Sequence, residues 1–362
     1  MIRIKWRRTI LGLGGVAALM LGAACGSDTA EPKTDGSTKS GAAAVSVDPK
    51  AGWPKQFHVG LFGGDDAEEV LRNNNDMKAY LEQKLGVEVK LTTGTSYGAV
   101  IEAMRAKRVD AMVVGPFSYL LAVQEAGAEA LAVRLGCGPK DKEPVCKVNP
   151  TAQPYYQSVV FTKKGNGITK LEDLKGKGFA FVDPASTSGH LAPKTILIKA
   201  GYANPDKDMQ TVFAGSHPTA ALAVFNGKTP AGGTNESNLR NLVASKQVEA
   251  CLWADGKISE PRTAAEVKKT FDECPNGKLA ILAVSDPIPS TPLAIRSDLP
   301  NTFKAAVKDA LLAMKDDAAT VDKTRSWYVD PHQALGLKNL DAFYNSLRDI
   351  AKLLNLDLKT LE

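Results

Sequence analysis

Strand-like apolar runs alternate with helical stretches along most of this 362-residue chain, and that order restricts its fold more than any single motif does. Gln56 to Leu61 reads as a strand, Asp66 to Leu85 as a helix and Val87 to Thr92 as a strand. A helix from Tyr97 to Ala106, a strand from Ala111 to Val114 and a helix opening near Phe117 follow. A second series has strands at Ser158 to Thr162, Gly178 to Phe181 and Met209 to Phe213, with helices over Leu191 to Ala200 and after His217. Strand signals return at Leu279 to Val284 and Leu293 to Arg296. Helices near Asn301 to Met314 and Leu340 to Leu354 then pack back on the first series. Such alternation predicts parallel strands with helical crossovers, an α/β class, and a ligand at the carboxyl ends of the strands. Two series of this kind predict two lobes closing on a small molecule. No 20-to-50-residue repeat is visible, which speaks against a solenoid.

The amino terminus predicts export. Arg3, Lys5, Arg7 and Arg8 precede an uncharged stretch from Thr9 to Ala24 that ends in small residues before Cys25. That stretch is shorter than the ~20 apolar residues of a membrane-spanning helix. The run Leu21-Gly-Ala-Ala-Cys25 resembles the lipobox of bacterial lipoproteins, with Leu21 one place early. The resemblance implies a signal peptide over residues 1–24 and a lipid on Cys25 that holds the protein at the outer face of the membrane. Residues 25–54, poor in large apolar groups and rich in Gly, Ser, Thr, Ala and Lys, read as a flexible tether. Four of the five net positive charges fall in the signal, which leaves the remainder close to neutral. With no basic run interleaved with aromatics after it, nucleic acid is not the expected partner.

Five cysteines fit the same compartment. With Cys25 lipidated, Cys137, Cys146, Cys251 and Cys274 remain, and three pairings are open. The local one, Cys137 with Cys146 and Cys251 with Cys274, closes the shortest loops. No Cys-x-x-Cys or His-x-x-x-His spacing supports zinc, so neither a metal nor another cofactor is expected.

The densest chemistry lies in Phe181-Val-Asp-Pro-Ala-Ser-Thr-Ser-Gly-His-Leu-Ala-Pro193. Ser186, Thr187 and Ser188 fall where a strand turns into a helix. There, unpaired N–H groups and the positive end of the peptide dipoles attract an anion. An ordinary helix cap is the plainer reading of any one of these hydroxyls.

Four blocks together resemble the phosphonate-type substrate-binding proteins of ABC importers. They are Thr95 to Arg105 with Val109 to Tyr119, Asp183 to Pro193, Ala214 to Val224, and Ile288-Pro-Ser-Thr-Pro-Leu293. The resemblance runs from about Phe57 to the last helices. It implies a two-lobed class II periplasmic-binding-protein fold, with lobe one over residues 55–152 and 285–362 and lobe two over 153–284. It also implies a monomer that takes a small oxyanion and works with an ABC permease. Residue by residue, it assigns ligand contact to Tyr97, Tyr156, Ser186, Thr187, Ser188 and His217. Relatives that bind aminoalkylphosphonates hold the ammonium with two carboxylates. Those positions are Thr291 and Ser237 here, with Glu236 adjacent to the latter. A ligand without an amine is therefore expected: phosphite, phosphate or a small alkylphosphonate.

Two rival readings compete with this one. A secreted serine hydrolase would use Ser186 or Ser188 with His190 or His217 and Asp183, but no Gly-x-Ser-x-Gly elbow is present, and Asp183 before Pro184 suits a turn. No catalysis is expected. A receptor of the same fold for a sulfonate or a pyrimidine is the other rival. A planar ring would call for a stacking aromatic where the three hydroxyls stand. Trp253 and Trp327 lie in stretches without a matching motif and are expected to pack or to lie at a surface, outside the site. Lys163 and Lys164 are expected to be solvated loop charges.

Overall fold

The computed structural model describes residues 48, 50–64, 67–253, 262–354 and 356. The expected signal peptide, Cys25, most of the tether and Asp66, where the first helix is expected to open, lie outside the described residues.

Two six-stranded sheets organise the described chain. In the first the order is Ser326–Val329, Ala128–Gly136, Pro292–Arg296, Ala111–Val113, Gln56–Phe62 and Glu88–Gly94. In the second it is Ala250–Cys251, Leu279–Val284, Ser158–Lys163, Ala231–Asn235, Gly178–Phe181 and Gln210–Phe213. The chain passes from the first sheet to the second through Tyr155–Tyr156 and returns through Ile288–Pro289. These two crossing segments pair antiparallel with each other. This is a two-domain α/β fold of the class II periplasmic-binding-protein type.

The expectation of parallel sheets needs correction. Gln56–Phe62 runs parallel to both its neighbours, as does Gly178–Phe181. Ser158–Lys163, the strand entered after the first crossing, is antiparallel to both its neighbours, and so is Pro292–Arg296, entered after the return. A chain that crosses between sheets arrives from the opposite end, so its first strand there reverses direction.

Local patterns explain the elements. In the helix Ala67–Leu85 the buried residues Met77, Tyr80, Leu81 and Leu85 recur at helical spacing, while Asn73 and Asn75 face solvent. Glu68 and Glu69 in its first turn and Lys84 in its last complement the helix dipole. The C-terminal pieces Leu340–Tyr344 and Asn345–Leu353 place Leu340, Phe343, Tyr344 and Leu347 in one core with Tyr119 and Val100, so the end of the chain does pack on the first sheet's helices. Both local disulfides form, Cys137 to Cys146 and Cys251 to Cys274. Trp253 and Trp327 are buried in cores. Lys163 and Lys164 depart from expectation. Each lies half-buried over an aromatic ring, Phe225 and Phe271, and donates to that residue's carbonyl at 2.8 Å.

Candidate functional site

Strand ends in both sheets feed helix starts, and five of these starts converge on one cavity of about 510 Å³. Tyr97 is the first residue of the helix Tyr97–Arg105, and Gly115 immediately precedes Pro116–Ala126. Ser186 caps the turn Thr187–Leu191, His217 opens His217–Phe225, and Ser237 is second in Glu236–Ala244. Each start brings backbone N–H groups and the positive end of a helix dipole toward the same space. Tyr97, Tyr156, Ser186, Thr187, Ser188, His217, Ser237 and Thr291 all line this cavity.

The hydroxyl turn owes its shape to Pro193. Thr187–Leu191 is a single wide π turn, in which the Leu191 N–H donates to the Ser186 carbonyl at 3.1 Å, and the regular helix Ala192–Lys199 follows. A proline offers no N–H to the carbonyl four residues earlier, so the Gly189 carbonyl accepts instead from the Val182 N–H at 2.9 Å. The turn is thereby fastened to the end of the strand Gly178–Phe181. π turns of this kind recur at functional sites.

All three hydroxyl residues are buried. Ser186 Oγ accepts from the Gly189 N–H at 3.0 Å. Thr187 Oγ1 accepts from the Phe117 N–H at 2.8 Å, and so caps a helix that belongs to the other sheet and has no side-chain cap of its own. The Tyr97 phenol meets the Ser186 side chain, and the Tyr156 phenol meets those of Ser188 and Thr187. Burial, with smaller contributions from Tyr156 and Asp183, pushes the Tyr97 phenol above its usual range. Burial likewise carries Tyr156 up to about 12. Both phenols therefore stay protonated and available as donors. The Tyr97 ring is held by stacking on Phe62, with centroids 4.0 Å apart.

His217 is fixed in one tautomer by its neighbours. Asn235 Oδ1 accepts the Asn238 N–H at 2.8 Å as a helix cap, which turns Asn235 Nδ2 toward His217 Nδ1 at 3.4 Å. Thr234 Oγ1 accepts from Asn238 Nδ2 at 3.2 Å and stands 2.9 Å from the same ring nitrogen. An Nδ1 faced by an amide NH₂ has to accept, so the ring proton belongs on Nε2. Burial lowers the His217 pKa to about 4, which makes this a neutral donor at physiological pH.

The two positions adjacent in sequence, Glu236 and Ser237, separate clearly. Ser237 lines the cavity, whereas Glu236 is buried in an ion pair with Arg240. No carboxylate lines the cavity among the described residues. Asp183 stands behind the turn, where its Oδ1 accepts the Ala185 N–H at 2.8 Å, as expected of a turn residue. His190 donates from Nδ1 to the Pro184 carbonyl at 2.8 Å and packs edge-on against Phe181 and Phe213. Among the described residues no serine hydroxyl is hydrogen-bonded to a histidine, so the relay of a serine hydrolase is not assembled.

Sequence reasoning missed two lining residues, Arg134 and Arg325; it placed a helix start near Phe117, next to the observed Pro116–Ala126, but did not assign Gly115 to the site. The Gly-Pro pair at 115 and 116 was a readable start signal, since proline favours the first helical turn. Neither arginine sits in a motif.

The family model for the periplasmic substrate-binding protein of phosphonate ABC transporters matches residues 59–335, well over half of the chain. The chain belongs to this family. Among curated relatives, the phosphate-import protein PhnD of Mycolicibacterium smegmatis is 28% identical over 238 residues, 64% of this chain and 66% of that protein. The phosphonates-binding periplasmic protein of Escherichia coli is 28% identical over 259 residues, 70% of this chain and 65% of that protein. The matches thus span slightly less than two thirds of these relatives' own lengths. Among solved structures, PhnD1 of Prochlorococcus marinus in complex with methylphosphonate superposes with a TM-score of 0.59 at 19% identity, covering 86% of this chain and 100% of that one. A binding-protein component of a phosphonate ABC transporter from Pseudomonas aeruginosa gives 0.58 at 22% identity, over 84% and 96%. The family's periplasmic binding proteins share the two-domain architecture described above.

Proposed function

We propose that this protein is the extracytoplasmic receptor of an ABC importer and captures a small phosphorus oxyanion between its two sheets. The ligand is phosphite, phosphate or an alkylphosphonate without an amine. Ser186, Thr187, Ser188, Tyr97, Tyr156 and the Nε2–H of His217 donate to its oxygens. Neutral donors in a water-poor cleft bind such an anion without a buried countercharge, and each bond is strengthened by the low local polarity. Lobes of residues 55–152 with 285–362, and of 153–284, close about the Tyr155–Tyr156 and Ile288–Pro289 crossing. The receptor acts as a monomer and needs no cofactor. A lipid on Cys25 and the tether over 25–54 keep it at the membrane beside its permease.

The observation that carries this reading is the convergence of five helix starts and three buried hydroxyls on a cavity whose described lining has no carboxylate. The names of the relatives agree in kind, since they specify phosphate, phosphonates and a methylphosphonate complex for those proteins. Thr291 and Ser237 line the cavity, and the family resemblance assigns to them the positions where an ammonium would need acids, which supports a ligand without one.

A thermal-shift panel tests the reading with phosphite, phosphate, methylphosphonate, 2-aminoethylphosphonate and sulfate. A ligand at ~100 times its dissociation constant stabilises the folded state by about 2.7 kcal/mol. Large shifts for one or more phosphorus oxyanions are expected, with 2-aminoethylphosphonate weaker than methylphosphonate. A stronger effect of the amine reverses the argument from Thr291 and Ser237, and silence from every oxyanion on folded protein overturns the receptor reading.

A further inference from the structure

The hydroxyl turn occupies only one side of the cavity. At about 510 Å³ the cavity falls within the ~300–1,000 Å³ range of sites for ligands much larger than a bare phosphate. Part of its remaining lining comes from the first sheet, where Arg134 and Arg325 are the only charged side chains among the described lining residues.

Backbone pairing brings these two arginines together. Arg134 lies on Ala128–Gly136 opposite Tyr328, Arg325 directly precedes Ser326–Val329, and the Cys137 N–H donates to the Arg325 carbonyl at 3.1 Å. The Arg134 N–H donates to the Thr291 carbonyl at 2.9 Å, which ties the same strand to another lining residue.

Their charges are poorly satisfied. The half-buried Arg134 side chain makes no hydrogen bond or ion pair among the described residues. Arg325 Nη2 donates to the carbonyls of Gly138 and Glu143 at 2.8 and 2.7 Å, and its Nη1 is buried without a partner, so the protein holds this guanidinium in place and its charge acts on the cavity as a fixed positive field. Arg325 also holds the left-handed backbone, φ 51°, that closes the helix Ala318–Thr324, where glycine is the unstrained choice. A side chain kept there despite strain, and a second cation left without a counterion, are both costly unless something else supplies the negative charge.

We propose that Arg134 and Arg325 form a second anion subsite, and that the ligand is a phosphonate bearing a second anionic group, a carboxylate or another phosphoryl, on a short carbon chain. The proposal rests on the phosphorus-oxyanion reading of the hydroxyl turn and extends it. The forked guanidinium of Arg134 matches the two oxygens of either group. Neutral donors then hold one end of the ligand and cations the other.

Calorimetric titration of the purified protein with methylphosphonate, phosphonoacetate and 3-phosphonopropionate provides the test. The better phosphonocarboxylate is expected to bind at least tenfold more tightly than methylphosphonate. Arg134→Gln should reduce that preference at least tenfold, and Arg134→Lys, which keeps the charge, should reduce it less. Thermal melts of both variants establish that they are folded. If methylphosphonate binds and neither phosphonocarboxylate is preferred, or if Arg134→Gln weakens all three ligands equally, the second subsite is wrong while the receptor reading stands. If none of the three binds, the second subsite falls, and the receptor reading falls with it only when phosphite and phosphate are silent as well.

Discussion

The two sides of the cavity are built on opposite plans. The Ser186 to Ser188 side is contiguous in sequence, neutral, and bonded into the fold at nearly every polar atom. The arginine side is assembled from distant strands, is charged, and leaves donors without protein partners. A wall that doubles as architecture is costly to change for stability and for binding alike. Arg134, which makes no such bonds among the described residues, can be altered with little harm to the fold, whereas Arg325 is itself tied to the carbonyls of Gly138 and Glu143.

The sharpest way to break this contrast is Gly189→Ala. A methyl group there would meet Val182 Cβ and Cγ2 at 2.3 Å and Ser186 Oγ at 2.8 Å, deep in the protein. Over-packing of a buried site typically costs about 1–3 kcal/mol, and this contact belongs at the upper end. Denaturant unfolding should register that loss, and oxyanion affinity should fall more than about 100-fold. Wild-type stability and affinity in this variant would mean that the turn is not the rigid element described here.

Thr187→Val comes next. The change keeps the shape but leaves the Phe117 N–H without its acceptor and removes one ligand donor. An unsatisfied buried N–H costs about 1–3 kcal/mol, and a hydrogen bond to a charged group contributes about 1.5–3 kcal/mol. Stability and affinity should therefore fall together, affinity by roughly 10- to 100-fold. A fall in affinity alone would show that the helix Pro116–Ala126 does not depend on its cap from the other sheet.

Neutrality of the hydroxyl side makes a pH prediction. Burial holds both His217 and His190 near a pKa of about 4, below the ordinary histidine value of about 6.5. The unfolded chain therefore takes up protons first as pH falls. Stability should be complete above pH ~6.5 and decline progressively toward pH 4, with urea midpoints as the readout. Methylphosphonate affinity, by contrast, should show no protonation step of His217 between pH 6 and 8. A step there that disappears in His217→Gln would replace the neutral donor with an imidazolium.

The same contrast explains what could be read from the sequence. The hydroxyl turn was legible because strand end, donors and Pro193 lie within one short segment, where local rules apply. The strand Ala128–Gly136, which carries Arg134, was not, because Ala-Glu-Ala-Leu-Ala-Val-Arg-Leu is rich in helix formers and only pairing on both edges makes it a strand. Ala231–Asn235 hides behind Gly232 and Gly233, residues of low strand propensity. Gly233 is required there, since a Cβ would meet Pro193 at 2.5 Å as the helix behind the hydroxyl turn packs onto the sheet. The antiparallel strands and the arginine pair depend on where the chain crosses between sheets, a long-range property that no local spacing reports.

The smallest expected effect sharpens the comparison most. Arg134 has no hydrogen bond or ion pair among the described residues, so Arg134→Leu removes an unbalanced cation and keeps an aliphatic body against the same wall. Surface and cleft substitutions that touch no such feature usually change stability by less than about 0.5 kcal/mol. Here the sign should be neutral or slightly favourable, because a partly buried charge without a partner gains nothing from folding. Denaturant unfolding of Arg134→Leu should therefore match or exceed wild type, while Thr187→Val on the facing wall loses stability. A clear destabilisation by Arg134→Leu would assign the guanidinium a structural bond, and the two walls would then differ in charge but not in purpose.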